Sequence, residues 1–310
     1  LFAGNNSTVI NNIFSGNVVV NNCTLVDNTY SGVTSEQFAT TQVTNSIVGN
    51  TGATEFLTYN DGTIVVNYSN VEGGWAGTGN INADPQFANI GITGTWEAVG
   101  GFSPTTTTRT FTDNNARWRT NALKGLFLQP KTTEPFRYLI VGNTDKTITV
   151  YGSASLFVNI ADTFRIVSYS LSSSSPCIDA GTDVGAPAQD LFGRARFDDP
   201  NSPNFGGISD MGCAEYKIWY VNETAAPDQS GDSWAMAFND LQKAIWFALP
   251  GDSIWIASGT YYPSALNASY VDSSSERAYA FVLPFASSLY GGFNGTETYL
   301  GQRDIVSNIA

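Results

Sequence analysis

The feature that most constrains this chain is a short frame that recurs four times near its N-terminus. Each copy has two apolar positions, an Asn, a short apolar stretch and a closing polar or Gly pair, at residues 9–17, 19–28, 43–50 and 65–74. The marker residues Asn21, Asn45 and Asn67 are separated by intervals of 24 and then 22 along the chain, the length of one coil of a β-solenoid. Asn suits the bends because it tolerates left-handed backbone. The repeat predicts stacked coils with alternate apolar side chains pointing inward.

The first interval is different, since the step from Asn11 to Asn21 is less than half as long as the later ones. We interpret these two copies as successive faces of one turn. From about residue 95 the pattern changes to longer alternating segments, which predict antiparallel strands and a small barrel or sandwich. These segments are residues 107–112, 137–141, 147–151 and 163–167, with a hairpin signal at residues 142–145.

The sequence therefore predicts four regions. Residues 1–94 are coils, residues 95–170 a small antiparallel β domain, residues 171–216 a closing segment rich in Pro, Gly and Asp, and residues 217–310 a new beginning. That last region opens with a strand at 217–221 and continues with an amphipathic helix from Asp232 to Ala248. Asp232 or Ser233 is the predicted N-cap, and Pro250 with Gly251 ends the helix.

Composition and charge exclude several classes of protein. The chain is 42% hydrophobic but only 13% charged, and its wealth of Asn, Thr, Ser and Gly is typical of an all-β, turn-dense fold. A net charge of −13 excludes nucleic acid and anionic membranes as partners, because both require basic surface. No apolar stretch reaches the roughly 18 residues that membrane insertion needs. We expect a secreted, soluble protein with affinity for cations.

The cysteines are odd in number. Cys23, Cys177 and Cys213 cannot all pair within one chain. We predict a disulfide between Cys177 and Cys213, which flank one turn-rich segment, and a buried Cys23. The alternative is three buried thiols.

The densest acidic cluster lies in the closing segment. Hard oxygen ligands in turns are what calcium requires, so calcium is the one cofactor the sequence suggests. The spacing matches no known calcium loop, and Asp in turns usually bonds its own backbone. Pairing of these carboxylates with Arg194 or Arg196 is the favoured alternative. The cluster comprises Asp179, Asp183, Asp190, Asp198, Asp199 and Asp210.

Catalytic chemistry has little support in the sequence. The chain has no histidine, which removes Ser-His-Asp triads and His-ligated zinc. The coils carry carboxylates only at unrelated turn positions, without the aligned pair that glycoside hydrolysis needs. We therefore predict that the protein is not an enzyme. Five aromatic residues are candidates either for stacking on sugars or, as we favour, for the core: Trp75, Trp96, Trp118, Tyr261 and Tyr262.

Several runs resemble a known family. Residues 21–28, 68–74 and 83–87 are similar to right-handed parallel β-helix proteins of the bacterial secreted type. Residues 175–181 and 210–216 resemble the ending of its choice-of-anchor group, and residues 218–222, 231–238, 259–262 and 290–298 resemble its opening. The resemblance implies an all-β, right-handed parallel β-helix with a small antiparallel insert and one capping α-helix. It also implies an extracellular, cell-surface location.

The order of these motifs is unusual, because the family's opening comes last here. Ala310 followed by Leu1 reads as uninterrupted family sequence. We therefore expect one unit of an array that continues in both directions, with copies of itself joined head to tail into a filament or surface fibre. The predicted assembly residues are Leu1, Phe2, Val9, Ile10, Ile13, Leu289, Tyr290, Phe293, Ile305 and Ile309. The alternatives are a tandem-module adhesin or stalk that binds surface polysaccharide, and a polysaccharide lyase or glycoside hydrolase.

Overall fold

A computed structural model of the chain describes residues 2–3, 10–28, 30–49, 54–152, 157–264, 279–283 and 285–310. The chain divides into two compact units. Unit 1 comprises Leu1–Asp198 and Pro203–Glu215, and unit 2 comprises Asp199–Ser202 and Tyr216–Ala310. Strands are the main regular structure of unit 1, whereas unit 2 combines three strands with one short α-helix and two 3-10 helices among its described residues.

Unit 1 opens with ten short strands in three parallel sheets. The first sheet contains β1 (Phe2–Ala3), β4 (Thr24–Val26), β7 (Ile47–Gly49) and β10 (Asn70–Val71); the second contains β2 (Ile10–Asn12), β5 (Ser31–Glu36) and β8 (Thr54–Tyr59); the third contains β3 (Asn17–Asn21), β6 (Thr40–Thr44) and β9 (Thr63–Asn67). From β2 onward the chain visits the second, third and first sheets in turn. Asn11 and Asn21 lie in different sheets, in line with two faces of one turn.

From β2 to β10 the register of these sheets repeats at a constant interval, whereas the pairing of β1 with β4 (Phe2 with Thr24) is one residue shorter. The hydrogen bond from Asn45 Nδ2 to Asn22 Oδ1 (3.2 Å) joins residues 23 apart, and Asn21 and Asn67 both pair with Thr44. Asn45 is therefore the counterpart of Asn22, and each predicted interval was wrong by one residue. The same register stacks the apolar side chains of the core: Ile10, Val33 and Phe56; Val20, Val43 and Val66; Leu25, Val48 and Val71.

A polar ladder runs beside this core. The Cys23 amide donates to Ser46 Oγ (3.2 Å), and the Ser46 amide donates to Ser69 Oγ (3.1 Å). Each of the three side chains also donates to the carbonyl oxygen two residues before it, at 3.2, 2.8 and 2.9 Å. Cys23 is buried, as predicted, and its thiol occupies the position that a serine hydroxyl occupies in the next two coils.

The backbone conformation at the bends between strands also repeats. Three positions with left-handed backbone recur in step with the strand register, each of them three times at intervals of 23 residues. Asn occupies some of them, as predicted, but Phe14, Phe38 and Tyr68 occupy others. The repeated backbone therefore persists without the residue type that best tolerates it. The positions are Phe14, Gln37 and Asn60; Ser15, Phe38 and Asp61; Asn22, Asn45 and Tyr68.

An antiparallel sheet of seven strands follows. It contains β11 (Thr93–Thr95), β12 (Ala98–Val99), β13 (Thr108–Thr112), β14 (Phe127–Gln129), β15 (Tyr138–Asn143), β16 (Thr147–Tyr151) and β17 (Thr163–Val167), in the order β11-β17-β14-β15-β16-β13-β12. All four predicted strands are present, and β15 and β16 form the predicted hairpin. An aromatic cluster fills the core: Trp96 stacks on Phe164 with ring centroids 3.9 Å apart and contacts Phe111.

Unit 2 is built on a parallel sheet of its own, in the order β18 (Ile218–Val221), β19 (Ser253–Ala257), β20 (Ser288–Phe293). The predicted strand at 217–221 is confirmed. One α-helix, α1 (Leu241–Phe247), packs its apolar face on this sheet. The cluster between them includes Trp219, Ile245 and Ile254.

The helix is shorter than predicted. It begins after Asp240, whose side chain accepts a hydrogen bond from the Gln242 amide (2.8 Å), so Asp232 and Ser233 are not its N-cap. The reason is a competing backbone interaction. The Phe238 amide donates to Tyr220 O (2.9 Å), and the Asn222 amide donates to Phe238 O (2.8 Å). These bonds hold Phe238 extended beside β18, and residues 234–236 form only a short 3-10 helix.

Candidate functional site

The predicted disulfide is wrong: all three cysteines are buried thiols. Cys177 Sγ accepts a hydrogen bond from Asn70 Nδ2 (3.2 Å), and the Cys213 amide donates to Thr24 Oγ1 (3.1 Å). Burial raises the pKa of Cys177 to about 12 and also raises the pKa of Cys213. These thiols pack the closing segment against the coils of unit 1.

The structure does not gather the predicted calcium ligands. Asp183 accepts hydrogen bonds from the amides of Ile208 and Ser209 (3.1 Å each). Asp210 accepts from the Asp179 amide (2.8 Å), and the exposed Asp198 lies apart. Among the described residues, which include all six aspartates, no group of three or more His, Cys, Asp or Glu is placed to hold a metal ion. The carboxylates instead organise turns.

Two arginines of the closing segment form ion pairs. Arg194 Nε lies 2.9 Å from Asp190 Oδ2, which confirms the Asp–Arg interpretation. Arg196 Nη1 lies 2.6 Å from Glu215 Oε2, not from an aspartate. Glu215 also accepts from the Phe197 amide (3.0 Å), and burial raises its pKa. Glu215 was not among the predicted site residues, although it lies within the run at residues 210–216.

The candidate aromatic residues divide into two groups. Trp96 and Trp118 are buried in the antiparallel region, which confirms the core interpretation for them. Trp75 is exposed and contacts the ring edge of Phe56, with centroids 4.8 Å apart. On unit 2, Tyr262 is exposed, whereas Tyr261 is half-buried against the apolar cluster of that unit. The buried pair is therefore excluded from ligand stacking.

The predicted assembly residues of unit 1 are only partly described. Leu1 and Val9 lie outside the described residues, and Phe2 is described by its backbone alone. Ile10 packs against the coil core, whereas Ile13 is exposed. Ile13 is therefore the described member of this set that reaches the surface.

In unit 2, Phe293 is wrongly assigned to the assembly surface. It is fully buried and stacks on Trp255 with centroids 4.7 Å apart. Leu289 and Tyr290 are half-buried in β20. Ile305 and Ile309 are exposed, as an assembly surface requires.

The exposed aliphatic residues of unit 2 lie beside its last strand. The Asp304 amide donates to Gly292 O in β20 (2.7 Å), so this segment folds against the strand. Ile305, Val306 and Ile309 are 71%, 82% and 74% exposed. They form an apolar surface, which we call the β20 patch.

Unit 1 also contains a cavity of about 750 Å³ that the sequence analysis did not predict. One wall comes from the first parallel sheet and the residues that follow its strands, including Asp27, Gly49 and Glu72. Residues 82–85 and 87–90 form a second wall, and Arg137 with residues 165–169 of the antiparallel region forms a third. The cavity therefore lies where the coils meet the antiparallel sheet.

Three polar side chains of the cavity bind one another. Arg137 Nη1 forms an ion pair with Asp27 Oδ2 and donates to Tyr169 Oη (2.9 Å), while Tyr169 Oη donates to Asp27 Oδ2 (3.0 Å). Burial lowers the pKa of Arg137 and raises that of Tyr169. Tyr169 is 142 residues from Asp27 in sequence, so no local motif marks this cluster. The left-handed backbone of Asp27 is the one local sign.

These elements define a mostly β protein with parallel sheets in both units and an antiparallel sheet in the first. No protein-family profile matches the chain, and no curated protein or solved structure does. The motif resemblance to choice-of-anchor β-helix proteins therefore remains a prediction. Within the described parts of the chain, none of the helices has the length and apolar character to cross a membrane.

Proposed function

We propose that the three parallel sheets of unit 1 are the faces of a right-handed β-helix, and that the protein is an extracellular structural unit that associates with copies of itself head to tail. The observation that carries the proposal is the register that all three sheets share from β2 to β10, in which each strand pairs with the one 23 residues further on, as Ile10 does with Val33. The pairing of β1 with β4 is one residue shorter, since Phe2 pairs with Thr24. A constant register lets identical coils stack without limit, since each coil offers the next one the same hydrogen-bonding edge.

Strand pairing supplies the means of association. Within the described residues, β2 pairs with β5 only and β3 with β6 only. Among the described strands, the one that pairs with β20 is β19, and β20 also accepts a backbone hydrogen bond at Gly292 O from the Asp304 amide. Unpaired strand edges are templates for strands from another chain. A contact between two different edges is heterologous, and when its rotation does not close it generates a fibre.

Apolar surface accompanies both edges. Phe14 and Val19, on and beside β2 and β3, are 75% and 68% exposed, and the β20 patch lies next to the edge of unit 2. Burial of such side chains between copies stabilises association by roughly 25 cal/mol per Å². Since the two surfaces belong to different units of the fold, their pairing is head to tail.

The net charge of −13 sets a condition on assembly. Copies of an acidic protein repel one another, and salt screens that repulsion over about 10 Å at 0.1 M. Apolar contact and strand pairing therefore dominate when the ionic strength rises. We expect filaments to lengthen with added sodium chloride.

The alternatives have weaker support. Hydrolysis of a polysaccharide needs a pair of carboxylic groups that share one glycosidic bond, but the Asp27 carboxylate is bound by Arg137 and Tyr169. A carbohydrate-binding stalk is compatible with the coils but does not account for the β20 patch.

Electron microscopy of the purified protein tests the proposal. We expect extended filaments from the wild type, and at least a tenfold loss of filament mass for Val306→Asp, which places a charge in the β20 patch. Val184→Asp is the matched control, because both valines are 82% exposed and Val184 lies in the closing segment of unit 1. Compact monomers from the wild type under all salt conditions, or equal loss in both variants, would contradict the proposal.

A further inference from the structure

We propose that the cavity of unit 1 binds a neutral saccharide. This inference is independent of self-association, because the cavity is built entirely within unit 1. Its volume of about 750 Å³ falls within the roughly 300–1,000 Å³ of small-molecule sites. A cavity of that size holds a short oligosaccharide rather than a single ion.

The apolar part of the cavity suits the C–H faces of a sugar ring. The rings of Phe87 and Tyr169 meet edge to face, with centroids 5.2 Å apart, and Phe87 is half-buried on the cavity wall. Val26 and Ile90 extend this wall. Aromatic and aliphatic surfaces of this kind pack against sugar rings while leaving the hydroxyl groups to polar partners.

The polar part is held in place before any ligand arrives. Asp27, Arg137 and Tyr169 fix one another through an ion pair and two hydrogen bonds, and 10% of the Arg137 side chain and 26% of the Asp27 side chain remain exposed. Groups fixed in this way lose little conformational freedom on binding. They therefore offer a ligand donors and acceptors at no further ordering cost.

Glu72 adds a second carboxylate to the wall that holds Asp27. Its Oε2 lies 3.2 Å from the position that a Cβ would take at Gly49, so the absence of a side chain at Gly49 gives this carboxylate its place. Glu72 is exposed, as are Asn82 and Asn89, and all three line the cavity. These side chains add a carboxylate and two amides to the polar groups of the lining.

The charges of the lining select the class of ligand. Three carboxylates (Asp27, Glu72 and Asp84) face two guanidinium groups (Arg137 and Arg165). An anionic or cationic ligand would meet groups of its own sign on at least one wall. A hydroxyl both donates and accepts hydrogen bonds, so a ligand with many hydroxyls and no charge satisfies both kinds of group.

Saturation-transfer NMR and titration calorimetry test this inference on the whole chain. The probes are maltotriose and cellotriose, with digalacturonic acid and chitosan dimer as charged comparators. We expect saturable binding of at least one neutral probe and at least tenfold weaker binding of both charged ones. Glu72→Gln should weaken binding about tenfold, the equivalent of about 1.4 kcal/mol. Asn82→Tyr, which fills the cavity, should abolish it.

Both substituted residues are exposed, so we expect both variants to fold, and thermal unfolding checks that they do. Glu36→Gln is the matched control outside the cavity and should bind as the wild type does. The inference is overturned if neither neutral probe binds at concentrations up to about 50 mM, if a charged comparator binds best, or if the folded Glu72→Gln and Asn82→Tyr variants bind as tightly as Glu36→Gln.

Discussion

The parallel sheets and the antiparallel sheet of unit 1 form their buried cores differently. In the parallel sheets, residues one register step apart occupy the same place in successive coils, so that Val20, Val43 and Val66 stack like on like. In the antiparallel sheet the core is a single cluster in which Trp96 contacts Phe164 and Phe111. In the parallel sheets the buried contacts are therefore spread over many equivalent positions. In the antiparallel sheet they are made by a few aromatic residues at one place.

This difference predicts how each region responds to substitution. A coil position can take a side chain that a neighbouring coil already uses there, because the surroundings repeat. A member of the aromatic cluster has no equivalent elsewhere in the chain. Large, specific losses are therefore expected in the antiparallel sheet, and small, graded ones in the coils.

The largest effect is expected for Trp96→Ala. Trp96 is 1% exposed, and its indole N–H donates to Pro130 O (2.8 Å). Truncation of a buried Trp leaves a cavity and costs about 3–5 kcal/mol, and here it also leaves a buried carbonyl without its donor. Chemical denaturation followed by circular dichroism measures the loss.

Trp75→Ala is the control, since Trp75 is exposed and its described ring contact is the edge-to-face pair with Phe56. Loss of such an aromatic pair should cost no more than about 1.5 kcal/mol. Hydrogen exchange locates the damage: amides of β13, β16 and β17 should exchange faster in Trp96→Ala, and those of β5 and β6 should change least. A loss for Trp96→Ala no larger than that for Trp75→Ala would show that the aromatic cluster does not dominate the stability of this region.

The same contrast explains what could be predicted from sequence. The repeating parallel strands of unit 1 were predictable because a repeated backbone needs repeated residue types, yet the marker Asn45 was assigned to the wrong position. Asn21 and Asn22 are adjacent and identical residues, so the sequence cannot show which of them is at the bend. In the structure it is Asn22, which has a left-handed φ of 48°. The local sequence pattern therefore predicted the length of the repeat to within one residue. The register, that is, which residue pairs with which, depends on hydrogen bonds between successive strands.

The predictions that failed depended on contacts between distant residues. The helix was predicted too long because residues 232–240 have helical periodicity, but the bonds between Phe238 and β18 override it. The ion pair of Arg196 was predicted with an aspartate of the cluster, but its buried partner is Glu215, 19 residues away. The cavity was missed because its walls come from strands far apart in sequence.

An intermediate effect is expected for Ser46→Ala in the polar ladder. Ser46 is fully buried, and its hydroxyl both accepts from the Cys23 amide and donates to Thr44 O. Removal leaves a buried amide and a carbonyl without this partner, at a cost of about 1–3 kcal/mol. Equilibrium denaturation measures the change, with the exposed Ser230→Ala as control.

Hydrogen exchange sharpens this test, because the Cys23 amide should lose protection in Ser46→Ala while the Ser46 amide, bound to Ser69 Oγ, keeps it. An unchanged Cys23 amide would mean that the ladder bond does not form in solution. A loss above about 3 kcal/mol, the upper end for an unsatisfied buried group, would instead mean that the parallel sheets lose as much stability on substitution as the aromatic cluster does.

The smallest effect is expected for Cys23→Ser. Cys23 occupies the ladder position that Ser46 and Ser69 hold in the following coils, and its thiol donates to Asn21 O (3.2 Å) as those hydroxyls donate to their own carbonyl oxygens. A serine at position 23 would make the same hydrogen bond that Ser46 and Ser69 already make. The free energy of unfolding should therefore change by less than about 0.5 kcal/mol, the lower end of what one hydrogen bond contributes.

Cys23→Val, which is close in volume but has no donor, should cost about 1–2 kcal/mol through the unbonded carbonyl. The order of the two variants is decisive, because hydrophobic burial alone would favour Val over Ser. If Val proves the better replacement, the side chain at position 23 contributes by apolar packing and not by its hydrogen bond. The polar ladder would then include the Ser46 and Ser69 side chains but not that of Cys23.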